Sequence, residues 1–272
     1  MNSSIRWHGG KRYLSERITS MMPWHSHYAE VFFGGGSVLF RCNPEGVSET
    51  VNDVNKHLIN FWKVLQDKTM FEQFNRLCQA TPFSDVEFQD AQKWLKNHDS
   101  TPEYSLSVKN AWLFFVVNRM GRQGLGKSYA TPSRRTRRAM NENVACWLAA
   151  IDGLPKVHER LKRVEIRCMD FGKFITTYDH KDCFFYLDPP YLHETRVVKN
   201  AYQYEMSEKD HVRLLDLLTS LQGNFILSGY HSKLYEQYAQ QNNWETTVIP
   251  IDNKASSAKK KETKYEVLYY NY

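Results

Sequence analysis

The feature that most constrains this sequence is an apolar run that ends abruptly in two prolines. Residues 183–187, Cys-Phe-Phe-Tyr-Leu, have the composition of a buried β-strand, and Asp188-Pro189-Pro190-Tyr191 follows directly. Proline fixes φ and lacks a backbone N–H, so the strand must stop there. Because ligands of open α/β sheets bind at the carboxyl ends of strands, we expect a carboxylate, a rigid carbonyl group and an aromatic ring to meet at a crevice.

This set of groups suits the activation of an exocyclic amine on a nucleobase. Such an amine is a poor nucleophile because its lone pair is delocalised into the ring. The Asp188 carboxylate and the Pro189 carbonyl can accept its two protons, which draws the nitrogen toward a tetrahedral, nucleophilic state, and Tyr191 can stack on the base. The plainer interpretation is a strand-ending Asp-Pro turn, but the strong strand before the motif favours a functional role.

A second motif combines a short strand, a glycine-rich turn and a helix start. The predicted strand Tyr28–Phe33 runs into Gly34-Gly35-Gly36, and Ser37–Arg41 can open a helix after it. The dinucleotide pattern Gly-x-Gly-x-x-Gly is incomplete because Leu39 occupies the third glycine position, so a cofactor loop and a plain tight turn both stay open. Asp53 ends the next predicted strand, where it can accept from ribose hydroxyls or, alternatively, cap a helix.

Strand and helix signals alternate at both ends of the chain but not in the middle. This rhythm predicts an α/β sheet domain built from 1–65 and 141–272, interrupted by a mostly helical insert over 66–140. The run 110–117 fits a buried helix or a strand, and 118–138 is predicted as a surface loop or hairpin. The predicted helices are 11–22, 58–65, 70–77, 84–96, 142–150, 155–162 and 207–221, the last with Ser207 as N-cap; the predicted strands are 28–33, 49–52, 164–168, 183–187, 224–228, 246–251 and 266–270.

Composition and charge narrow the class of protein. The 272 residues are 42% hydrophobic and 24% charged, which is ordinary for a globular protein, and the apolar runs are too short to span a membrane. The sequence has no N-terminal apolar stretch and five isolated cysteines, which favours a reducing cytoplasm over a disulfide or zinc framework. The net charge of +6 weakly supports a polyanionic partner.

Four stretches, in order, resemble the DNA adenine-N6 methyltransferases of the Dam type, the D12 class. Residues 6–11, Arg-Trp-His-Gly-Gly-Lys, resemble the family's Lys-Trp-Ala-Gly-Gly-Lys, and residues 30–37 resemble its cofactor loop Glu-Pro-Phe-x-Gly-x-Gly-Ser. Residues 52–60 resemble its ribose-binding acidic segment, and 188–191 its catalytic tetrapeptide. The sequence departs from the family pattern in having His8 for alanine, Val31 for proline and a lysine for arginine near the C-terminus. These departures concern cofactor packing and DNA binding and leave the reaction unchanged.

The resemblance implies a site-specific methyltransferase with a Rossmann-like seven-stranded sheet and a helical target-recognition insert. It would transfer a methyl group from S-adenosyl-L-methionine to an adenine flipped out of duplex DNA, with no metal and no covalent enzyme intermediate. It also implies a bacterial or phage-encoded enzyme of the cytoplasm, with restriction–modification among its settings and with neither a membrane nor an obligate protein partner. The implied catalytic residues are Asp188, Pro189, Pro190 and Tyr191, and the implied cofactor-binding residues are Trp7, Lys11, Phe33, Gly34, Gly36, Ser37, Asp53, Asp170 and Phe171.

Within that set, the resemblance implies a division of roles. Trp7 and Lys11 would enclose the methionine part of the cofactor, with Gly34 and Gly36 on its backbone-facing side. Asp53 would hold the ribose, and the pair Asp170-Phe171 would hold the cofactor adenine. Asp188 and Tyr191 would hold the target base.

Basic residues in the predicted insert are the candidates for DNA contact. The densest basic run, Arg134–Arg138, follows a glycine-rich loop. The plainer interpretation of such a run is a solvated face, but in a DNA enzyme a phosphate or guanine contact is favoured. The predicted DNA-binding residues are Arg119, Arg122, Lys127, Arg134, Arg135, Arg137 and Arg138.

Residues 121–128 support a rival function, because Gly-Arg-Gln-Gly-Leu-Gly-Lys-Ser fits the phosphate-binding pattern of an ATPase. That loop requires a helix to begin at the Lys-Ser step, whereas the following residues 129–134 make a poor helix. We therefore favour a DNA-contacting loop. A cytosine-N4 or RNA adenine methyltransferase and an inactive DNA-binding relic also stay open, although Asp188 in place of serine favours adenine by resemblance.

Two further segments are predicted to flank the site. His193–Arg196 follows the tetrapeptide and lacks partners at metal-ligand spacing, so we predict a lid over the target base. Lys254–Lys264 holds five lysines between two predicted strands, and we predict a solvated hairpin loop that can contact the DNA backbone.

Overall fold

The computed structural model describes residues 1, 3–97, 106–192, 204–251 and 264–272, and over these the chain has an α/β fold. A two-stranded hairpin accompanies the main sheet. The strands are β1 His27–Glu30, β2 Ser48–Asn52, β3 Thr136–Arg137, β4 Met140–Asn141, β5 Val164–Arg167, β6 Cys183–Leu187, β7 Asn224–Gly229, β8 Glu245–Ile251 and β9 Lys264–Tyr270.

Seven of these strands form one sheet in the order β5-β2-β1-β6-β7-β9-β8, which confirms the predicted fold class. β1 lies parallel to both β2 and β6, and β6 lies parallel to β7. β9 runs antiparallel between β7 and β8. The helices of the described residues are α1 Ser15–Met21, α2 Lys56–Gln66, α3 Lys68–Ala80, α4 Asp85–Asn97, α5 Val108–Met120, α6 Glu142–Leu161, α7 Phe171–Tyr178, α8 Glu208–Thr219 and α9 Lys233–Gln241.

The chain divides into two compact units. Unit 1 comprises residues 1–19, 34–43 and 55–168, and unit 2 comprises residues 20–33, 44–54 and 169–272. The division into a catalytic domain of 1–65 and 141–272 and a DNA-recognition insert of 66–140 concerns function, and it stays a prediction.

The centre of unit 2 is the strand that carries the proline motif. All five residues of β6 are buried, as expected for a parallel strand that lies in the middle of the sheet with a paired strand on each side. Phe185 pairs with Ala29 of β1 and with Phe225 of β7. This packing fixes the point at which Leu187 ends and Asp188 begins.

The core of unit 1 is a cluster of aromatic rings contributed by its helices. The ring of Phe61 lies 4.7 Å from Trp62 and 5.8 Å from Phe115, centroid to centroid, and Phe115 lies 5.3 Å from Trp147. Full burial of each such side chain stabilises the fold by about 1.5–3 kcal/mol. The cluster holds α2, α5 and α6 together.

One buried asparagine joins α2 to the start of α5. The Asn60 side chain donates to the Ser107 carbonyl at 2.9 Å and accepts from the Ser107 N–H at 2.8 Å. Ser107 in turn caps α5, because its hydroxyl accepts from the Asn110 N–H at 3.2 Å. The Asn60 amide therefore fixes the residue at which α5 begins.

Several predicted elements are confirmed and others differ. Ser207 caps α8 as predicted, in a reciprocal capping box with Asp210, and the ambiguous run 110–117 is helix. The two helices predicted over 142–150 and 155–162 are one helix, α6, because its buried side chains outweigh the single hydrogen bond that Pro155 removes.

The remaining differences concern short elements. The helix predicted over 11–22 begins only at Ser15, and that over 37–41 is a 3-10 turn over Leu39–Arg41. The sequence analysis missed α7 and α9. The predicted lid at His193–Arg196 and nearly all of the predicted loop Lys254–Lys264 lie outside the described residues.

No helix in the described ranges is both long enough and apolar enough to cross a membrane.

We predict that Asn60→Ala lowers the free energy of unfolding by about 2–4 kcal/mol, because it leaves the Ser107 N–H and carbonyl without their amide partner. Urea unfolding followed by circular dichroism measures the change. Asn110→Ala is the control, since Asn110 contributes its backbone N–H to the cap, and it should shift stability by less than about 0.5 kcal/mol. Equal effects of the two changes would contradict the role of Asn60.

Candidate active site

In unit 2, three neighbouring parallel strands end at the same edge of the sheet. Glu30 at the end of β1 pairs with Val51 of β2 on one side and with Tyr186 of β6 on the other. Asp53 therefore follows β2 and Asp188 follows β6 at the edge where β1 ends. This is the edge at which α/β sheets bind ligands.

The side chain of Asn52 ties this edge together. Its amide donates to the Val31 carbonyl at 3.2 Å and to the Met169 carbonyl at 3.1 Å. Its oxygen accepts from the Met169 N–H at 3.0 Å, and its own carbonyl accepts from the Phe33 N–H at 2.8 Å. Asn52 thus fixes the segment after β1 and the segment that leads into Asp170.

Asp53 is not the helix cap that the sequence offered as an alternative. Asn55 caps α2 instead, since its side chain accepts from the Leu58 N–H at 3.1 Å. Asp53 lies half-buried immediately after β2. The cap alternative is therefore wrong, and the ribose role of Asp53 stays a prediction.

Asp170 and Phe171 begin α7, next to Arg213 of α8. The Asp170 carboxylate accepts from the N–H groups of Gly172 and Lys173 at 3.0 and 3.2 Å and forms an ion pair with Arg213. Partial burial opposes ionisation, but these donors and the Arg213 charge lower the pKa of Asp170 overall. The guanidinium also lies 4.2 Å from the centre of the Phe171 ring.

Asp188 and Tyr191 sit directly after the buried strand, in a region rich in carboxylates and phenols. Asp188 is half-buried and Tyr191 is buried, with 6% of its surface exposed. The Tyr191 hydroxyl donates to the carboxylate of Glu266, and its ring meets Tyr230 edge-on at 4.5 Å. Burial, followed by the charges of Asp188 and Glu266, raises the pKa of Tyr191 well above its usual range, so the phenol stays protonated.

Glu266 lies against the tetrapeptide and was not among the residues predicted from the sequence. It is fully buried in β9, 75 positions from Tyr191 in the sequence. The available signal was a charged residue at the head of a strand that is otherwise apolar and aromatic. The signal does not identify the partner, which becomes evident only when the order of the strands is known.

In unit 1, the glycine turn packs closely against the side chain of Trp7. Gly34 has φ of +48°, and a Cβ atom there would fall 2.7 Å from Cδ1 of the Trp7 indole. Behind the turn, the Trp62 indole N–H donates to the Gly34 carbonyl at 3.1 Å. Gly36 also has a positive φ, of +67°. A residue with a side chain at Gly34 would displace Trp7, so the turn needs glycine there.

The segment that carries Trp7 is held from α5. Asn118 is buried, accepts from the Arg6 N–H at 2.8 Å and donates to the Arg6 carbonyl at 2.7 Å. Further along the segment, Lys11 is 3% exposed and donates to the Gly9 carbonyl at 3.0 Å. Gly10 packs next to Ser37, since a Cβ atom at Gly10 would lie 3.5 Å from the serine hydroxyl. The predicted residues of the N-terminal motif and the glycine turn thus meet within unit 1.

The predicted basic run leads into the hairpin of β3 and β4: Arg134 and Arg135 precede β3, and Arg137 lies in it. Arg138 and Ala139 occupy its two-residue turn with φ of +53° and +57°, the left-handed conformation that such turns require. The side chain of Arg138 contacts Asp152 at 3.4 Å. The predicted DNA-binding residues Arg122, Lys127, Arg134, Arg135, Arg137 and Arg138 are all exposed.

Arg119 differs from the other predicted DNA-binding residues. Its guanidinium donates to the Cys146 carbonyl of α6 at 2.8 Å. Burial, and then the nearby charge of Arg6, lower the pKa of Arg119 to about 10. The side chain packs between helices of unit 1 rather than on an open surface.

The ATPase alternative requires a helix that begins at the Lys127-Ser128 step, and the structure has none there. Residues 122–124 form a 3-10 turn, and Tyr129 pairs with Gly121 in an isolated bridge, so no helix begins at the Lys127-Ser128 step. The Arg122 N–H donates to the Ser128 carbonyl at 2.8 Å, which closes the loop on itself. A phosphate-binding loop needs the N–H groups of a helix start at that point.

A family model described as D12 class N6 adenine-specific DNA methyltransferase matches residues 7–256. The chain is 25% identical to the type II methyltransferase M.MjaIII of Methanocaldococcus jannaschii, over 98% of each chain. It is 27% identical to the type II methyltransferase M1.LlaDCHI of Lactococcus lactis subsp. cremoris, over 98% of this chain and 94% of that protein.

A third relative is longer. The chain is 28% identical to the DNA N-6-adenine-methyltransferase of Escherichia phage P1, over 80% of this chain and 28% of that protein. The family model covers most of the chain and includes the glycine turn, the acidic strand ends and the tetrapeptide. The chain therefore belongs to the D12 class N6 adenine-specific DNA methyltransferases.

Proposed function

We propose that this chain uses Asp188 and the Pro189 carbonyl to hold the N6 amine of an adenine that has been flipped out of duplex DNA. The observation that carries the proposal is the tetrapeptide itself, which begins directly after the fully buried strand β6 and whose tyrosine is anchored by a buried hydrogen bond. A half-buried carboxylate and a rigid carbonyl at a strand end suit a cationic, tetrahedral nitrogen.

The methyl donor is S-adenosyl-L-methionine, which supplies an electrophilic methyl group on a sulfonium centre. Each unit, taken by itself, has side chains whose chemistry suits one part of this cofactor. In unit 1, the buried ammonium of Lys11 suits the carboxylate of the methionine part, and Trp7 lies on the glycine turn that includes Gly34. In unit 2, Asp53 suits the ribose hydroxyls, and Asp170 with Phe171 suits an adenine ring.

The remaining implied residues support these groups. Phe33 is fixed by its backbone bond to Asn52, and Gly36 and Ser37 complete the turn after it. Pro190 keeps the tetrapeptide rigid between Pro189 and Tyr191.

The chain's own groups perform three tasks in the reaction. Tyr191 stacks on the face of the target base and orients it. Asp188 and the Pro189 carbonyl accept the two amine protons, which makes the nitrogen lone pair available for attack. As the nitrogen–carbon bond forms, the bond between the methyl group and sulfur would break and leave its electron pair on the sulfur, so the positive charge passes to the nitrogen. The fixed carboxylate stabilises that charge more than it stabilises the neutral amine. The methylated amine then releases one proton to the solvent and becomes neutral.

The exposed basic residues are proposed to bind the DNA backbone or a guanine edge; they are Arg122, Lys127, Arg134, Arg135, Arg137 and Arg138. Arg119 is left out of the proposed DNA contacts because its guanidinium donates to the Cys146 carbonyl. We further propose that the chain acts in the cytoplasm and without an obligate protein partner. Sequencing of plasmid DNA after incubation with the chain and the cofactor tests the function: N6-methyladenine supports it, whereas N4-methylcytosine or methylated RNA alone would overturn it.

We predict that Asp188→Ala lowers the single-turnover rate of methyl transfer by about 10²–10³, because one preorganised charge is lost from the transition state. Asp188→Asn should be intermediate, since the amide keeps one acceptor but no charge. The rate is measured with labelled cofactor and plasmid DNA, and the cofactor Kd is measured alongside.

Asp182→Ala is the matched control, because Asp182 precedes the same strand at its other end and is also half-buried. It should transfer methyl groups at the wild-type rate. An Asp188→Ala chain within a few-fold of wild type would overturn the mechanism. A large loss of cofactor affinity with a normal rate at saturating cofactor would indicate that Asp188 binds the cofactor and not the target base.

The glycine turn gives a second prediction. Gly34→Ala should weaken cofactor binding at least tenfold, because the new Cβ displaces the Trp7 indole. Gly46→Ala is the control: its φ of +74° carries the same backbone strain of about 1–2 kcal/mol, but nothing lies within 4 Å of the added atom. Isothermal titration with S-adenosyl-L-methionine distinguishes the two, and equal affinities would show that the turn has no part in cofactor binding.

A third prediction concerns the hairpin. Replacing Arg134 and Arg135 by alanine should weaken DNA binding and reduce the salt slope of the binding constant by about one per phosphate contact. A guanine contact would instead relax specificity at one position by about 1–3 kcal/mol. The control removes the same charge from α3, at Lys68 and Arg76, which are also exposed. Equal DNA binding by the two double variants would show that Arg134 and Arg135 only belong to a solvated surface.

A further inference from the structure

We propose that Glu266 is a positioning residue for the target base, and that it acts through Tyr191. The proposal rests on the proposed function, in which Tyr191 stacks on the adenine. It adds a residue from β9, far from the tetrapeptide in sequence, to the machinery of methyl transfer.

The sheet topology brings Glu266 to the site. β6 and β7 are parallel, so their carboxyl ends lie at one edge of the sheet. β9 is antiparallel to β7, and Val267 pairs with Gly229, the residue at which β7 ends. The beginning of β9 therefore lies at the edge where β6 ends and the tetrapeptide begins. β9 runs opposite to β7, so Glu266, near the start of β9, lies at the sheet edge where β6 and β7 end.

Glu266 and Tyr191 form a buried pair. Glu266 is fully buried and Tyr191 is 6% exposed, and the phenol hydroxyl donates to the carboxylate. A hydrogen bond to an ionised group is stronger than a neutral one, and burial keeps water from competing for it. A glutamate in the sheet interior is costly unless it has such a donor.

Two contacts restrain the tyrosine ring in different ways. The hydroxyl lies on the axis that runs from Cβ through the ring, so the bond to Glu266 fixes the direction of that axis. Tyr230 meets the ring at 60° between planes and at 4.5 Å between centroids, which restricts rotation about the axis. With both contacts, one face of the ring has a defined orientation for the base.

We expect this restraint to affect the rate of methyl transfer and not the binding of the cofactor. A base that is misplaced by about 1 Å can lose about 10²-fold in rate, because attack requires alignment of the amine and the methyl group. Without the bond, Tyr191 keeps its ring but loses the fixed axis. The expected signature is a lower rate of transfer with unchanged cofactor affinity.

A double-mutant cycle tests the proposal with the full-length chain. Glu266→Ala and Tyr191→Phe each remove the same hydrogen bond and should each lower the single-turnover rate on plasmid DNA about tenfold or more. Glu266→Gln keeps an acceptor oxygen and should recover most of the rate. The double variant Glu266→Ala with Tyr191→Phe should be no slower than the slower single variant, because the two residues act through one bond.

The control is a second tyrosine–carboxylate pair. The Tyr238 hydroxyl donates to Asp216 at 2.6 Å on the surface of unit 2. Tyr238→Phe removes a bond of the same chemistry and should leave the rate unchanged. The cofactor Kd and the urea midpoint are measured for every variant, so a loss of fold is separated from a loss of alignment. Should Glu266→Ala fail to fold, Tyr191→Phe reports on the same bond from its other end.

Tyr191→Ala separates this proposal from the function on which it rests. If Tyr191→Ala retains the wild-type rate, the target-base role of Tyr191 is wrong. If Tyr191→Ala is inactive while Tyr191→Phe and Glu266→Ala match wild type, only the positioning role of Glu266 is overturned. Independent, multiplicative losses in the double variant would also overturn it.

Discussion

The structure depends on one recurring interaction, in which a buried asparagine amide holds both backbone groups of a single distant residue. Asn118 does this for Arg6, Asn60 for Ser107 and Asn52 for Met169, each with one bond donated and one accepted. The amide reproduces the pairing that a neighbouring strand would give, at places where no strand passes. The three anchored residues lead directly into the Trp7 segment, the start of α5 and Asp170.

The second organising constraint is the burial of acids beside phenols at the sheet edge of unit 2. The Tyr28 hydroxyl donates to Glu30 at 2.8 Å, and Tyr191 donates to Glu266. Burial, and then Asp188, Glu30 and Glu266, raise the pKa of Tyr186. Protonated phenols therefore compensate the carboxylates without neutralising them.

The sequence predicted what is encoded locally. The proline stop after β6, the Ser207 cap of α8 and the alternation of strands and helices follow from residue type and spacing, and the structure confirms them. It could not predict that α6 continues through Pro155, because tertiary burial decides that outcome. Nor could it join Tyr191 to Glu266, since that pair depends on where β9 enters the sheet. Arg119 shows the same limit: its charge predicts an exposed contact, but on α5 it is half-buried and its guanidinium donates to the Cys146 carbonyl.

The position of β9 links the outer edge of the sheet to the tetrapeptide. β8 precedes β9 in the chain, yet among the described strands it pairs with β9 alone, and β9 lies between it and β7. The same strand carries Glu266, which accepts the hydrogen bond from the Tyr191 hydroxyl. A change that separates β9 from β7 would therefore detach β8 from the sheet and remove the partner of that hydroxyl together.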